Sequence, residues 1–202
     1  MEVVVEWKGG EADFIEACCR NENWAQKKLY EDHFSMMYAV CARYANDQED
    51  AMDILHDGFI KIFKNIQKYQ SGTSLQAWMK RVMINTSIDY YRKEIRRRTS
   101  DVDEAIGLSN DDPDVVSLMS SEEILGALQE LPTHYRSVFN LFVLEGFSHK
   151  DIAEMLEITE STSRANLVKA RGKLRNILIQ KYGKHAELLK QYANNPSGES
   201  KF

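Results

Sequence analysis

Proline is nearly missing from this chain. There are three in 202 residues, beside only ten glycines. These two residue types punctuate helices, so their scarcity predicts long uninterrupted helical segments. Cysteine is as sparse: Cys18, Cys19 and Cys41 make an odd number, two of them adjacent, with no CxxC spacing. That pattern argues against a disulfide framework or a thiolate zinc site. It fits reduced thiols in a cytoplasm, with Cys18 and Cys19 packing a helix rather than forming a redox switch. No apolar run approaches the ~20 residues that cross a bilayer. The opening MEVVVEWKGG sets acids around a very short apolar run, so neither membrane insertion nor a secretory leader is expected. Convincing strand alternation and internal repeats are missing too.

What is present is ordinary in amount and uneven in distribution. A hydrophobic share of 43% and a charged share of 28% suit a soluble globular chain with room for one or two domains. The net charge is −5, yet Lys80, Arg81, Arg92, Lys93, Arg96, Arg97 and Arg98 face only Asp89 and Glu94 in their stretch. The following TSDVDEAIGLSNDDPDVVSLMSSEE holds eight acids and no base. From Thr159 to Arg175 the sign reverses again, with Arg164, Lys169, Arg171, Lys173 and Arg175 and no acid after Glu160. Two basic modules separated by an acidic connector is the organising pattern.

Apolar spacings of three and four predict one helix over residues 11 to 45 and another from Ala51 to Tyr69. Gly58 inside the second costs about 1 kcal/mol relative to alanine, so it is expected to mark a close contact. KYQSGTS is a loop, after which Thr73 or Ser74 caps a helix from Leu75 to Arg97. The connector, with Pro113, is expected to be extended. EILGALQELP opens the second module. Pro132 is expected in the first turn of a helix that Gly146 stops. Ser148 with Asp151 is close to a capping box over SHKDIAEML. A last helix should run from Thr159 or Glu160 to Tyr182, before a frayed tail. The fold class is all-α: two small helical domains, 1–98 and 122–185, joined by a flexible acidic linker at 99–121 and followed by a tail at 186–202.

Two surfaces carry chemistry. SHKDIAEMLEITESTSRANLVKARGKLR places two helices about a short turn, with Ala153 at the crossing and Ile158 plugging it, a helix-turn-helix pattern. On a wheel of ~100° per residue, Leu167, Ala170, Leu174 and Leu178 turn inward. Ser161, Ala165, Lys169 and Gly172 turn outward, flanked by Arg164 and Val168. Small outward residues let a helix approach base edges, where Arg164 and Lys169 reach guanine or phosphate. Arg171 and Arg175 lie nearer the buried stripe and suit phosphate. On the helix from Leu75, Trp78, Arg81, Asn85, Asp89, Arg92 and Arg96 share one arc. An aromatic, an amide and arginines beside a glycine loop suit single-stranded nucleic acid, where stacking is worth ~1–3 kcal/mol per base. A core Trp78, with Asp89 paired to Arg92 or Lys93, is the structural alternative.

DAMDILHDGFIKIFKNI, SLQAWMKRVMINTSIDYYRKEIRRR and LPTHYRSVFNLFVLEGFSHKDIAEMLEITESTSRANLVKARGKLR, in that order, resemble the two conserved blocks of bacterial extracytoplasmic-function sigma factors. The resemblance covers roughly residues 25 to 180. It implies a non-catalytic, cytoplasmic RNA polymerase subunit that selects promoters and helps melt them. By the resemblance, Asp50, Asp53, Ile54, His56, Asp57 and Phe59 grip the clamp of the polymerase largest subunit. The family usually carries glutamine and glutamate where His56 and Asp57 stand. The loop of Tyr69, Ser71, Gly72 and Thr73 captures a flipped minus-ten base, and Trp78, Arg81, Asn85, Arg92 and Arg96 hold the melted strand or its fork. Ser161, Thr162, Ser163, Arg164, Ala165, Lys169, Arg171 and Arg175 enter the major groove of the minus-thirty-five element. Glu157 stands where the family commonly has glycine, and STSRAN where it has GTVKSR. The linker resembles the family's, which passes through the polymerase cleft. Implied partners are core polymerase, including the flap of its second-largest subunit, promoter DNA both duplex and melted, and an anti-sigma factor.

Two other classes stand beside this one. A self-sufficient helix-turn-helix regulator, with an N-terminal sensing or dimerisation domain, would leave the stripe from Trp78 to Arg96 without a purpose. An enzyme acting on nucleic acid has little to rest on. His33, His56, His134, His149 and His185 are scattered without ligand spacing, and there is no Walker loop or nucleophile motif. No catalytic residue, metal or cofactor is expected, and His149 reads as a surface residue at a helix start.

Overall fold

The computed structural model describes residues 9–70, 72–97 and 121–194, with side chains described over 9–70, 72–97 and 125–181. The acidic connector, Ser71 and the residues after Asn194 lie outside the described residues. Every element among the described residues is helical, and the chain divides into two compact units between Arg98 and Thr99.

The first unit contains α1 (Glu11–Cys19), α2 (Asn23–Ala42), α3 (Gln48–Asn65), a 3-10 turn (Ile66–Lys68) and α4 (Leu75–Arg97). The single helix expected over 11 to 45 is therefore two. The chain turns at Arg20–Glu22, where Asn21 takes φ 58, a left-handed conformation that asparagine tolerates. Arg20 secures the turn by reaching Glu16 and Glu22, both at 2.9 Å. Helix α3 begins earlier than Ala51 because the Asp47 carboxylate accepts from the Asp50 amide at 2.9 Å and caps it. Leu29, Met37 and Cys41 of α2 are fully buried, as are Leu55 and Ile62 of α3 and Met79 and Met83 of α4. Gly58 is the close contact the sequence suggests: a Cβ there would stand 2.2 Å from Met83 Sδ. No side chain larger than hydrogen fits unless Met83 moves, so Gly58 sets how near α3 and α4 approach.

The second unit contains α5 (Ser121–Gln129), α6 (Thr133–Phe139), α7 (His149–Leu156) and α8 (Glu160–Asn194). Ala127, Leu128, Leu131, Tyr135, Ala170, Leu174 and Leu178 form its core. Pro132 sits one residue earlier than expected, as the N-cap of α6, where its carbonyl accepts from the amides of Tyr135 and Arg136. Helix α6 widens into a π turn over Asn140–Leu144 and ends at Gly146, φ 76. Arg136 is 1% exposed, and its Nη1 donates to the Gln129 carbonyl at 3.0 Å. A buried cation thus closes the C-terminus of α5, where the helix dipole favours positive charge. Helix α8 continues to Asn194 rather than ending near Tyr182.

Candidate nucleic-acid interface

Helix α4 presents the predicted stripe to solvent. Arg81, Asn85, Asp89 and Arg96 are exposed, Trp78 and Arg92 are half-buried, and Met79, Met83 and Ile84 face the core. Ser74 Oγ accepts from the Ala77 amide at 3.2 Å and starts the helix, as capping chemistry suggests. Asp89 sits within the stripe, bonded to Lys61 of α3 at 2.8 Å and 3.8 Å from Arg92. It divides the face into an aromatic–polar half, Trp78 to Asn85, and a basic half. In the basic half, Arg92, Lys93, Arg96 and Arg97 line a cleft with Asp89.

Tyr69 differs from its expected place. It is 6% exposed, so it offers no stacking surface. Its ring tilts against Trp78 with centroids 5.9 Å apart. Its hydroxyl lies 2.6 Å from Glu11 Oε1 and also against the Thr73 carbonyl. The neighbouring carboxylate holds the phenol proton and pushes its pKa upward. Tyr69 therefore ties the loop to α1 from inside, while Gly72 (φ 91), Thr73 and Ser74 remain exposed.

The acidic face of α3 is exposed at Asp53, His56 and Asp57. Asp50 is half-buried, bonded to the Tyr90 hydroxyl and to the Asn46 amide at 3.2 Å. Ile54 and Phe59 are each 2% exposed, so the expectation that they meet a partner is corrected: they pack in the core. The exposed apolar residue on that face is Ile60, at 49%. It falls three or four residues after Asp57 and His56, a spacing legible in the sequence but overlooked.

The helix-turn-helix forms around two local devices. Ser148 and Asp151 complete the capping box at the start of α7. Glu157 then takes the left-handed conformation, φ 57, that turns the chain toward α8. Thr159 Oγ1 caps α8 by accepting from the Thr162 amide at 3.1 Å.

On α8, Ser161, Thr162, Arg164, Ala165 and Arg171 are exposed, and Lys169 and Arg175 are half-buried. Ser163 is 0% exposed, which corrects its expected groove contact. Its hydroxyl lies 2.9 Å from His149 Nδ1, and the His149 ring stacks on Phe142. His149 is therefore a link between the two helices rather than a surface residue. Its pKa is lowered, first by removal from water and then by the nearby charge of Arg164, with Glu160 opposing.

Asn166 is also buried. These two polar side chains widen the buried face of the helix beyond its apolar stripe. Of the residues expected to point outward, Ser161 and Ala165 are exposed, flanked by exposed Arg164 and Val168, whereas Lys169 and Gly172 are half-buried. Lys169 lies instead over the Tyr135 ring with Lys173, each ammonium 5.8 Å from the centroid. Arg164 has an acid partner after all, Glu160 one turn earlier. Both are exposed, and such a pair is worth ~0–1 kcal/mol, so it does not lock the guanidinium away. Among the described residues no cluster of three His, Cys, Asp or Glu could hold a metal ion.

Among the described residues the chain is two all-helical units, the second carrying a helix-turn-helix. Residues 29–98 match the model of sigma-70 region 2 and residues 121–174 that of sigma-70 region 4. The chain belongs to the sigma-70 family. It is 27% identical over 158 residues to the ECF RNA polymerase sigma factor SigE of Mycolicibacterium smegmatis, covering 76% of this chain and 61% of that one. It is 27% identical over 139 residues to SigV of Bacillus subtilis, covering 69% and 82%. With the sigma-E factor of Haemophilus influenzae it shares 23% over 174 residues, covering 80% and 92%. Among solved structures it is similar to the sigma factor RpoE in complex with the anti-sigma factor NepR from Bartonella quintana. That match has 20% identity and a TM-score of 0.45, over 75% of this chain and 95% of that one. The self-sufficient regulator is not favoured, because both units match sigma regions. No helix among the described residues is long and apolar enough to cross a membrane.

Proposed function

We propose that this chain directs core RNA polymerase to specific promoters and helps melt them. The domain of residues 1–98 holds the minus-ten region. The domain of 122–185 holds the minus-thirty-five duplex, and 99–121 tethers them. The observation that carries this reading is the exposed stripe of α4 beside an exposed glycine loop, a surface suited to unpaired bases on a chain that also carries a helix-turn-helix. Flipping a base costs a few kcal/mol. Stacking on Trp78 and hydrogen bonding by Asn85, beside a loop that Tyr69 and Glu11 hold in shape, supply the offset. Arg81, Arg92 and Arg96 hold the backbone.

Exposed Arg164 and Arg171, with Ser161, Thr162 and Ala165, meet the upstream duplex. Lys169 and Arg175, half-buried at the edge, meet phosphates. Asp53, His56 and Asp57 around Ile60 dock on the polymerase clamp, and the second domain meets the flap. The protein acts in the cytoplasm, without catalysis of its own, and an anti-sigma factor restrains it. Net negative charge keeps the free subunit from binding DNA indiscriminately.

The test is transcription by core polymerase on a promoter library with and without the chain. Initiation at a defined promoter subset only when the chain is added is the expected result. Initiation patterns that do not change with the chain would overturn the reading.

A further inference from the structure

We propose that Val168 reads the 5-methyl group of a thymine in the upstream promoter element, between two arginines directed at guanine. The assignment rests on the promoter-recognition reading above and adds to it the chemistry of one position. Val168 is 49% exposed on α8, and its neighbours on that face are small or cationic: Ser161, Arg164, Ala165 and Arg171. A β-branched residue is a poorer helix former than alanine or lysine, and in water its exposed methyls gain nothing. Its stiffness is an asset in contact, because χ1 is already fixed and little freedom is lost.

Spacing identifies the occupant. Val168 lies four residues after Arg164 and three before Arg171, so the three share one face. At a rise of ~1.5 Å per residue the valine stands about 6 Å from one arginine and about 4.5 Å from the other along the axis. DNA advances ~3.4 Å per base step along a strand, which makes this one or two steps. In the major groove, arginine's best partner is the O6 and N7 edge of guanine, and the apolar group on a base edge is the methyl of thymine. A single stiff apolar contact inside a cationic ring matches that edge. A protein groove would call for a wider apolar patch, and the next large exposed apolar residue along this face, Ile179, stands eleven residues further on, about 16 Å along the axis. The Arg164–Glu160 pair is solvent-exposed and weak enough for a guanine edge to displace.

The experiment uses the full chain bound to core polymerase and a promoter found by the library assay. Deoxyuridine replaces each thymine of the upstream element in turn, removing one methyl at a time. One position should lower holoenzyme affinity about fourfold, the worth of one buried methyl-sized group. With Val168→Ala, which alters an exposed side chain and leaves the core intact, the same replacement should cost less than about 1.5-fold. If unmodified promoter is bound specifically but no deoxyuridine position matters, or if its cost is unchanged in Val168→Ala, this inference is wrong and the promoter-recognition reading stands. Absence of specific binding to the unmodified promoter would overturn both.

Discussion

Gly58→Ala tests how closely α3 and α4 are clamped, and through them how the acidic face of α3 and the exposed stripe of α4 share one base. The new Cβ would stand 2.2 Å from Met83 Sδ and 3.0 Å from Cε. Ordinary non-bonded contact is about 3.5–4 Å, so the sulfur would have to retreat by more than about 1 Å. Met83 is fully buried, and Cys41 Sγ already lies 3.9 Å from its sulfur. Overpacking of this kind costs about 1–3 kcal/mol. Against it stands the helix-propensity gain of alanine over glycine, about 1 kcal/mol. The net expectation is a loss of about 1 kcal/mol, which lowers Tm by about 4–8 °C for a unit of this size.

Met83→Ala alone opens a cavity and costs about 2–5 kcal/mol. In the double variant the added methyl enters the space the methionine left, and Gly58→Ala turns stabilising. The coupling is then about 2 kcal/mol, well above the roughly 0.5 kcal/mol scatter of independent sites. Calorimetry of the full chain, following the transition of the first unit, reads all four corners of the cycle. Additive losses would refute the close approach and its role in spacing the two faces.

Asn85→Ala should impair promoter opening, read by permanganate reactivity of unpaired thymines, more than it impairs duplex docking. Arg164→Ala should do the reverse and weaken holoenzyme docking tenfold or more, since a bidentate arginine contact is worth ~1–3 kcal/mol. Equal effects of both variants on both steps would defeat that division. The second unit should also lose stability on acidification. His149 has a pKa below its ordinary 6.5, so the folded state favours the neutral ring. As pH falls through 6.5 the unfolded chain takes up a proton that the folded one resists, and stability declines until the folded pKa is passed. Denaturant midpoints measured downward from pH 7 should show this slope in the wild type. His149→Gln should flatten it, and an unchanged slope would mean another group is responsible.

What the sequence made legible was what local chemistry decides. The extent of α4, the Ser148–Asp151 box and the tight approach at Gly58 each follow from residues within a few positions, or from a glycine whose cost demands a reason. The break at Asn21 was hidden because apolar spacing runs on from Cys18 to Trp24 as though no turn intervened. The outward side of α8 at Ser161 and Ala165 was legible, but the burial of Ser163 and Asn166 was not. Ser163 is buried against His149 of α7, a partner that no helical wheel contains. Arg136 shows the same limit: a charge reads as surface until the C-terminus of a neighbouring helix is known to receive it.

On the proposed function, Ile60 and Val168 share a logic that ties the two domains to different partners. Each is an exposed apolar side chain in the middle of a charged face. Around Ile60 stand Asp53, His56 and Asp57, with Lys64 one turn further on, a ring of net negative charge; around Val168 stand Arg164 and Arg171. Exposed charges steer encounter and reject partners of like sign more than they add affinity, whereas contact energy concentrates in a few residues from which water is excluded. The sign of the ring thus selects the partner, and the apolar centre fixes the register. An acidic ring repels DNA phosphates, which leaves a protein surface for α3. A basic ring attracts DNA non-specifically, so discrimination on α8 has to come from the groups that phosphates cannot satisfy, the arginine forks and the valine between them. Reversing Asp53 and Asp57 to lysine should therefore raise non-specific DNA binding by the free chain while abolishing its assembly with core polymerase, two effects of opposite direction that a merely solubilising acidic face would not produce together.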